Sequence, residues 1–153
     1  MPGLLAVLLS ICLTLLSACS APLAETIGQP QPTLPIRTLT FGQIELHAEI
    51  ADSEEERRSG LAHRQGLEKN HGMLFVYTNS APRYFTMRDT LFDLSIAFLD
   101  ENGVILDIQK MQAQHQDLYR SRFPAKYALE VSAGWFADNR LGPGDRMALP
   151  INP

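Results

Sequence analysis

The sequence has very little cysteine and no charge at its start. Its two cysteines, Cys12 and Cys19, both lie in the first 19 residues, and the first charged side chain is Glu25. The rest of the chain therefore has no cysteine for an internal disulfide, a thiolate nucleophile or a cysteine-ligated zinc site. A basic excess is also missing, since 13 Lys and Arg stand against 17 Asp and Glu. This argues against a dedicated nucleic-acid binder.

The uncharged N-terminal segment has the features of an export signal. Residues 4–16 are apolar apart from Ser10 and Thr14, a run too short to span a membrane comfortably and typical of a secretory signal peptide. The following Leu16-Ser17-Ala18-Cys19 resembles the bacterial lipoprotein signal. We therefore expect residues 1–18 to be a lipoprotein signal peptide and Cys19 to be lipidated. An uncleaved anchor, or a plain signal peptide cut elsewhere, are the alternatives.

Residues 19–35 are rich in proline, with Pro22, Pro30, Pro32 and Pro35. Proline removes backbone donors and favours extended structure, so the segment is predicted to be a lipid-anchored, semi-rigid tether. The alternative is an ordered segment along the edge of the domain. The expected location is the periplasmic or extracellular face of a cell-envelope membrane, to which the chain is attached through its lipid.

Residues 36–153 are predicted to form a single β-rich domain. Apolar residues alternate from Ile44 to Ile50 and from Lys126 to Ser132, as expected for half-buried strands. Ser53 and Glu56 can form a capping box at the start of a short helix that ends near Gly60. Further strands are predicted at 72–77, 84–87, 94–100 and 104–111 and near the C-terminus at Met147, Leu149 and Ile151, with a helical turn at Trp135 and Phe136.

This pattern predicts a compact antiparallel β-sandwich or a partly closed barrel with one or two short helices. The runs 94–100 and 104–111 flank Asn102 and Gly103, which favour a two-residue type I′ hairpin turn.

A series of short motifs stands at 60–64 (GLAHR), 72–77 (GMLFVY), 85–90 (FTMRDT), 96–100 (IAFLD), 127–130 (YALE), 133–136 (AGWF) and 144–145 (GD). In this order they resemble the family called domain of unknown function 192, over roughly residues 36 to 151. The resemblance implies a β-sandwich of jelly-roll type and no established activity. The family usually has aspartate where this chain has Ser95, so a site that depends on a carboxylate there would be absent.

Several residues in or near these motifs form a candidate cluster, either for ligand binding or for structure. It comprises Arg64, Met87, Arg88, Asp89, Thr90, Ser95, Glu130 and Trp135. In the structural interpretation Arg64 and Glu130 form a buried ion pair that fixes strand register, because a buried charge needs a compensating partner. In the functional interpretation Asp89 and Glu130 belong to a ligand-binding or catalytic site. No residue is assigned as catalytic or metal-binding, and no cofactor is predicted.

Other polar and sulfur-containing residues allow weaker interpretations. Glu45, His47 and Glu49 project from one strand face and could bind a metal ion or simply be solvated. Three further histidines (His63, His71 and His115) are expected to be exposed, and Met73, Met87, Met111 and Met147 to fill the core. The basic and aromatic segment 119–127 could contact anions or sugars, or be a solvated loop.

The sequence thus favours a lipid-anchored extracytoplasmic binding or scaffold module of the cell envelope. Its expected partners are the membrane, through the lipid anchor, and an envelope glycan, an anionic ligand or a protein, but not nucleic acid. One alternative is an envelope enzyme that acts on a glycan or ester with a carboxylate as general acid or base. Another is a metal-handling lipoprotein.

Overall fold

The computed structural model describes residues 28–148, which form eight strands and two short helices. The predicted signal peptide, Cys19 and the first part of the predicted tether lie outside the described residues, as do Leu149 and Ile151. Neither described helix is long and apolar enough to cross a membrane. The elements are β1 Ile36–Phe41, β2 Ile44–Ala51, α1 Glu54–Ser59, β3 His71–Ala81, β4 Tyr84–Phe85, β5 Leu94–Leu99, β6 Ile105–Met111, β7 Tyr119–Arg120, β8 Ala125–Ser132 and α2 Trp135–Asp138.

Six strands make one mixed sheet in the order β1-β2-β3-β8-β5-β6, and β4 and β7 pair as a second, small sheet. The mainly β prediction is confirmed. One pair departs from the predicted antiparallel arrangement, because β2 and β3 run parallel. Parallel neighbours need a crossover of a dozen or more residues, and residues 52–70 with α1 supply it.

The C-terminal end of the described chain links the two edges of the large sheet. Ala148 forms an isolated bridge with Thr40 of β1, and Arg146 forms one with Val104, which precedes β6. The sheet is therefore strongly curved, although residues 28–148 do not close into a barrel. The predicted last strand is represented among the described residues only by these two bridges.

The large sheet is buried on both faces, and all six residues of β5 are buried. We call one side the α1 face and the other the α2 face. The α1 face carries the cluster that includes Leu61, Met73, Phe75, Phe85, Met87, Ile96 and Phe98. The α2 face carries the cluster that includes Leu39, Leu46, Leu74, Leu129, Trp135, Phe136 and Met147.

Helix α1 begins with the predicted capping box. The Ser53 hydroxyl accepts a hydrogen bond from the Glu56 backbone N–H at 3.2 Å, and the Glu56 carboxylate accepts one from the Ser53 N–H at 2.9 Å. These two bonds satisfy orphan donors at the helix start. The backbone and hydroxyl hydrogen bonds from Ser53 lower the pKa of Glu56.

The C-terminal end of α1 is held by the segment that precedes β1. The Gln31 amide Nε2 donates to the carbonyl oxygens of Glu56 at 3.2 Å and Gly60 at 2.8 Å. The Leu34 N–H donates to the Glu49 carboxylate at 2.7 Å, and the Leu34 side chain packs against the core of the α1 face. The folded domain therefore begins before residue 36, and the last residues of the predicted tether pack along it.

The hairpin between β5 and β6 is present, but its turn differs from the prediction. Gly103 has φ 77°, whereas Asn102 is not among the described residues with positive φ. The Gly103 N–H donates to the Asp100 carbonyl at 3.2 Å, and the Asp100 carboxylate accepts from the N–H groups of Asn102 and Val104 at 2.8 Å each. The predicted type I′ turn is wrong. The loop is a longer turn that ends in a left-handed glycine.

Gly72 of β3 lies directly against the backbone of β8, so Gly72→Ala should destabilise the domain. A Cβ at this position would lie 2.5 Å from the backbone carbonyl oxygen of Glu130 and 3.0 Å from a methyl of Val131. Backbone in the centre of a sheet cannot move aside cheaply, and we expect a loss of about 1 to 3 kcal/mol. Urea unfolding followed by Trp135 fluorescence measures it. Gly66→Ala, which meets nothing within 4 Å, is the matched control, and equal midpoints for the two variants would contradict the packing argument.

Candidate functional site

The structure divides the predicted polar cluster among five places. Asp89, Thr90 and Glu130 line one pocket. Met87 is buried in the core of the α1 face, and Arg88 is exposed. The others lie elsewhere. Arg64 forms an ion pair with Glu49, and Ser95 and Trp135 lie on the α2 face.

The pocket opens on the α1 face and has a volume of about 200 Å³. We call it the Glu130 pocket. Its walls come from the end of α1 and the residues after it, from β3, from β4 and the loop that follows, and from β8. The lining residues are Arg57, Arg58, Ser59, Gly60, Leu61, Ala62, Phe75, Tyr77, Tyr84, Phe85, Thr86, Asp89, Thr90 and Glu130.

Glu130 is the buried acid of this pocket. It pairs in register with Met73 of β3 on one side and Ile96 of β5 on the other, so its side chain leaves the sheet among apolar neighbours. Burial raises the pKa of Glu130 to about 8, because desolvation penalises the charged form and the carboxyl group forms no ion pair within residues 28–148. At neutral pH the carboxyl group is therefore mostly protonated. It offers both an O–H donor and a carbonyl acceptor.

Tyr77 forms one wall of the pocket, and two arginines pack on its ring. The Arg83 guanidinium lies 3.7 Å from the ring centroid and the Arg57 guanidinium 5.0 Å from it. Burial raises the pKa of Tyr77. The charges of Arg83 and Arg57 act to lower this pKa, and that of Glu130 acts to raise it further. Backbone carbonyls hold both arginines: Arg57 donates to Val76 at 2.9 Å, and Arg83 Nε donates to Ala125 at 2.9 Å. This wall is therefore aromatic, cationic and fixed in position.

Arg64 does not pair with Glu130, so that part of the structural interpretation is wrong. Its Nη1 and Nη2 atoms bind Oε1 and Oε2 of Glu49 at 2.5 and 2.8 Å, a bidentate ion pair. Glu49 was expected to point to solvent from β2. It is buried, because the Arg64 region and the chain around Leu34 cover this part of the sheet.

Ser95 and Trp135 belong to the opposite side of the sheet from the Glu130 pocket. The Ser95 hydroxyl accepts a hydrogen bond from the Gly134 N–H at 3.0 Å, immediately before α2. The Trp135 indole N–H donates to the Asn70 side-chain oxygen at 3.1 Å. Both residues thus hold α2 and a loop in place. A serine at position 95 in place of a carboxylate leaves the lining of the Glu130 pocket unchanged.

Sequence reasoning missed several pocket residues. Gly60, Tyr77 and Phe85 stand in the family motifs but were not included in the candidate cluster, and Tyr84 was assigned only to a strand. One signal was available in the sequence. Glu130 is a single acid inside the apolar run of β8, and such a residue is costly to bury without a purpose.

The other candidate residues have clear positions. Met73, Met87, Met111 and Met147 are all buried, which confirms the core prediction. Within residues 28–148, no three or more His, Cys, Asp or Glu side chains converge as metal ligands. The basic and aromatic segment borders the Glu130 pocket, because Arg120 stacks 5.7 Å from the ring centroid of Tyr84. Arg122 pairs with Asp107 at 3.5 Å, and Phe123 is exposed.

Comparisons with known proteins give a family and two related structures. Residues 37–149 match the family DUF192, described as an uncharacterized ACR. A protein from Sinorhizobium meliloti 1021, described as a "putative transcription regulator", is 27% identical with a TM-score of 0.72, over 77% of this chain and 96% of that one. A protein of unknown function from Novosphingobium aromaticivorans DSM 12444 is 25% identical with a TM-score of 0.71, over 76% of this chain and 86% of that one. No curated protein matches the chain.

Proposed function

The chain belongs to the DUF192 family, for which no activity is described, and we propose from its own geometry that it is a lipid-anchored ligand-binding module of the cell envelope. Its ligand is a small, hydroxyl-rich molecule of the kind found in envelope glycans. The observation that carries this proposal is the Glu130 pocket, where a neutral carboxyl group lies buried beside fixed aromatic walls.

The size and the lining of the pocket indicate the ligand class. A volume of about 200 Å³ is below the roughly 300–1,000 Å³ of pockets that take drug-sized molecules, so a single sugar-sized unit fits best. Tyr77, Tyr84, Phe75 and Phe85 supply ring surfaces. The protonated Glu130 both donates and accepts hydrogen bonds, as a sugar hydroxyl does.

Exposed aromatic residues offer a matched test of this proposal. Tyr84 lines the pocket and is 55% exposed, whereas Phe123 is 54% exposed and is not part of the lining. Tyr84→Ala should weaken binding at least tenfold, and Phe123→Ala should leave it unchanged. The probes are immobilised bacterial glycan fragments, followed by titration of the best one by NMR. Equal effects of the two substitutions, or binding by neither variant nor the wild type, would reject a glycan-binding pocket.

A second candidate function is an envelope hydrolase with Glu130 as general acid. It is favoured by the pKa of about 8 for Glu130, which keeps a proton available at neutral pH, and by the presence of Asp89 in the same pocket. Glu130→Gln would then abolish turnover of a 4-nitrophenyl glycoside or ester. If the wild type binds such a compound without turning it over, the hydrolase is rejected and the binding module is retained.

The anchor is proposed from the sequence features of residues 1–19. Metabolic labelling with a palmitate analogue should tag the wild-type chain in a bacterial host, and Cys19→Ala should remove the label because it removes the thiol to which the lipid is attached. Cys12→Ala is the matched control and should stay labelled. Label that persists in Cys19→Ala would refute the lipoprotein assignment without affecting the pocket.

A further inference from the structure

Two of the four histidines stand side by side on the large sheet, away from the residues that line the Glu130 pocket. His47 of β2 and His71 of β3 are register partners in the parallel pair. Their side chains lie on the same face, with ring centroids 5.3 Å apart and ring planes inclined at 47°. Both residues are partly exposed, so the pair is open to solvent.

Hydrogen bonds at Nδ1 orient both rings. His71 Nδ1 lies 3.0 Å from the Lys69 carbonyl oxygen, which can only accept, so Nδ1 carries the hydrogen and Nε2 carries the lone pair. His47 Nδ1 lies 3.3 Å from the Thr38 hydroxyl. Histidines that bind metals typically use one ring nitrogen for the ion and the other for such an orienting hydrogen bond. The two Nε2 atoms are thus left as the ligating nitrogens.

The spacing of the rings fits a shared ion. A metal–nitrogen bond of about 2.0–2.1 Å places the centroid of a coordinated imidazole about 3.1 Å from the ion. Two centroids 5.3 Å apart then subtend an angle of about 115° at the ion, so both rings can reach one ion.

We propose that His47 and His71 form a two-histidine site for a divalent transition-metal ion, with the highest affinity for Cu²⁺. Imidazole ligands suit copper, zinc and nickel, and the general order of affinities places Cu²⁺ above Zn²⁺. Within residues 28–148 no third His, Cys, Asp or Glu completes the set, so the remaining coordination positions are open to water or to another molecule. The ion at this site is therefore exchangeable and does not hold the fold together. Glu49, which the sequence placed beside His47, is not a ligand because it binds Arg64.

Copper titration of the full-length chain tests the site directly. Isothermal calorimetry should detect one Cu²⁺ per chain, and electron paramagnetic resonance should show two imidazole nitrogens on it. His47→Ala and His71→Ala should each weaken binding at least tenfold and reduce the signal to one imidazole. The double variant His63→Ala with His115→Ala is the matched control and should bind as the wild type. Every protein in the series also carries Cys12→Ala and Cys19→Ala, because free thiols bind Cu²⁺ and reduce it.

A chemical experiment on the wild type avoids any effect of substitution on folding. Diethyl pyrocarbonate modifies accessible histidines, and bound Zn²⁺ should slow modification of His47 and His71 while His63 and His115 react as before. Mg²⁺, which prefers oxygen ligands, should protect neither. Equal copper affinity in all variants, loss of binding in the His63 and His115 double variant, or unselective protection would each overturn the proposal.

Discussion

Replacing Glu49 with glutamine should lower the free energy of unfolding by about 3 to 5 kcal/mol, one of the largest losses of any single substitution in this domain. The carboxylate accepts from both terminal nitrogens of Arg64 and from the Leu34 N–H. The Arg64 side chain is only 15% exposed, and its Nε is buried with no hydrogen-bond partner among residues 28–148. Without the charge on Glu49, the guanidinium stays buried with nothing to compensate for its desolvation.

An exposed ion pair in the same protein supplies the control. Glu54 pairs with Arg58 at 2.8 Å on α1, with side chains that are 83% and 75% exposed. Glu54→Gln should cost about 0 to 1 kcal/mol, because water already solvates both partners. Urea unfolding followed by the single tryptophan, Trp135, measures both variants. Similar losses for Glu49→Gln and Glu54→Gln would show that the buried pair has no special weight.

The local elements were predictable because their causes are local. The capping box of Ser53 and Glu56 needs only residues three positions apart, and the alternation from Ile44 to Ile50 needs only the two-residue period of a strand. The turn at Gly103 was predicted in position but not in type. Its geometry depends on the Asp100 carboxylate, which binds two backbone N–H groups.

The long-range pairing of charges was not predictable from the same patterns. Alternation identifies one apolar face of a strand, but it does not reveal that the chain around Leu34 and Arg64 covers the other face. Glu49 therefore looked solvated. For the same reason the sequence suggested Glu130 as the ion-pair partner of Arg64. Glu130 lies in a strand that is buried on both faces.

The candidate site was half predictable. Asp89, Thr90 and Glu130 stand in motifs that the sequence singled out, and the fold brings them to one pocket. Ser95 stands beside a motif but faces α2, because neighbouring strand residues point to opposite sides of the sheet. Trp135 lies in α2 itself, which packs on that face. A motif gives order along the chain. Which face each residue joins is decided by strand pairing.

Removing the charge of Glu130 should stabilise the domain, whereas removing that of Glu49 should destabilise it. Glu130 is buried and forms no ion pair among residues 28–148. Its pKa is 4.5 for the ordinary group and about 8 in the folded domain, so between these pH values the folded state binds one more proton than the unfolded state. The free energy of unfolding must then fall as the pH rises through this window. The stability associated with the neutral carboxyl is complete below about pH 4.5 and is lost as the pH approaches 8.

Glu130→Gln should remove this pH dependence, since glutamine has nearly the same shape as the protonated acid and does not titrate. At pH 5 the two proteins should be equally stable to within about 1 kcal/mol. Between pH 5 and pH 8 the free energy of unfolding of the variant should rise relative to that of the wild type by about 3 to 4 kcal/mol. Urea unfolding at four pH values between 5 and 8 measures the difference, and Glu101→Gln, in the exposed hairpin turn, controls for the loss of a solvated charge. A constant difference across the pH range would mean that Glu130 is ionised in the folded domain. A carboxylate in that state would need a cation beside it, and the neutral donor on which the proposed glycan pocket depends would not exist.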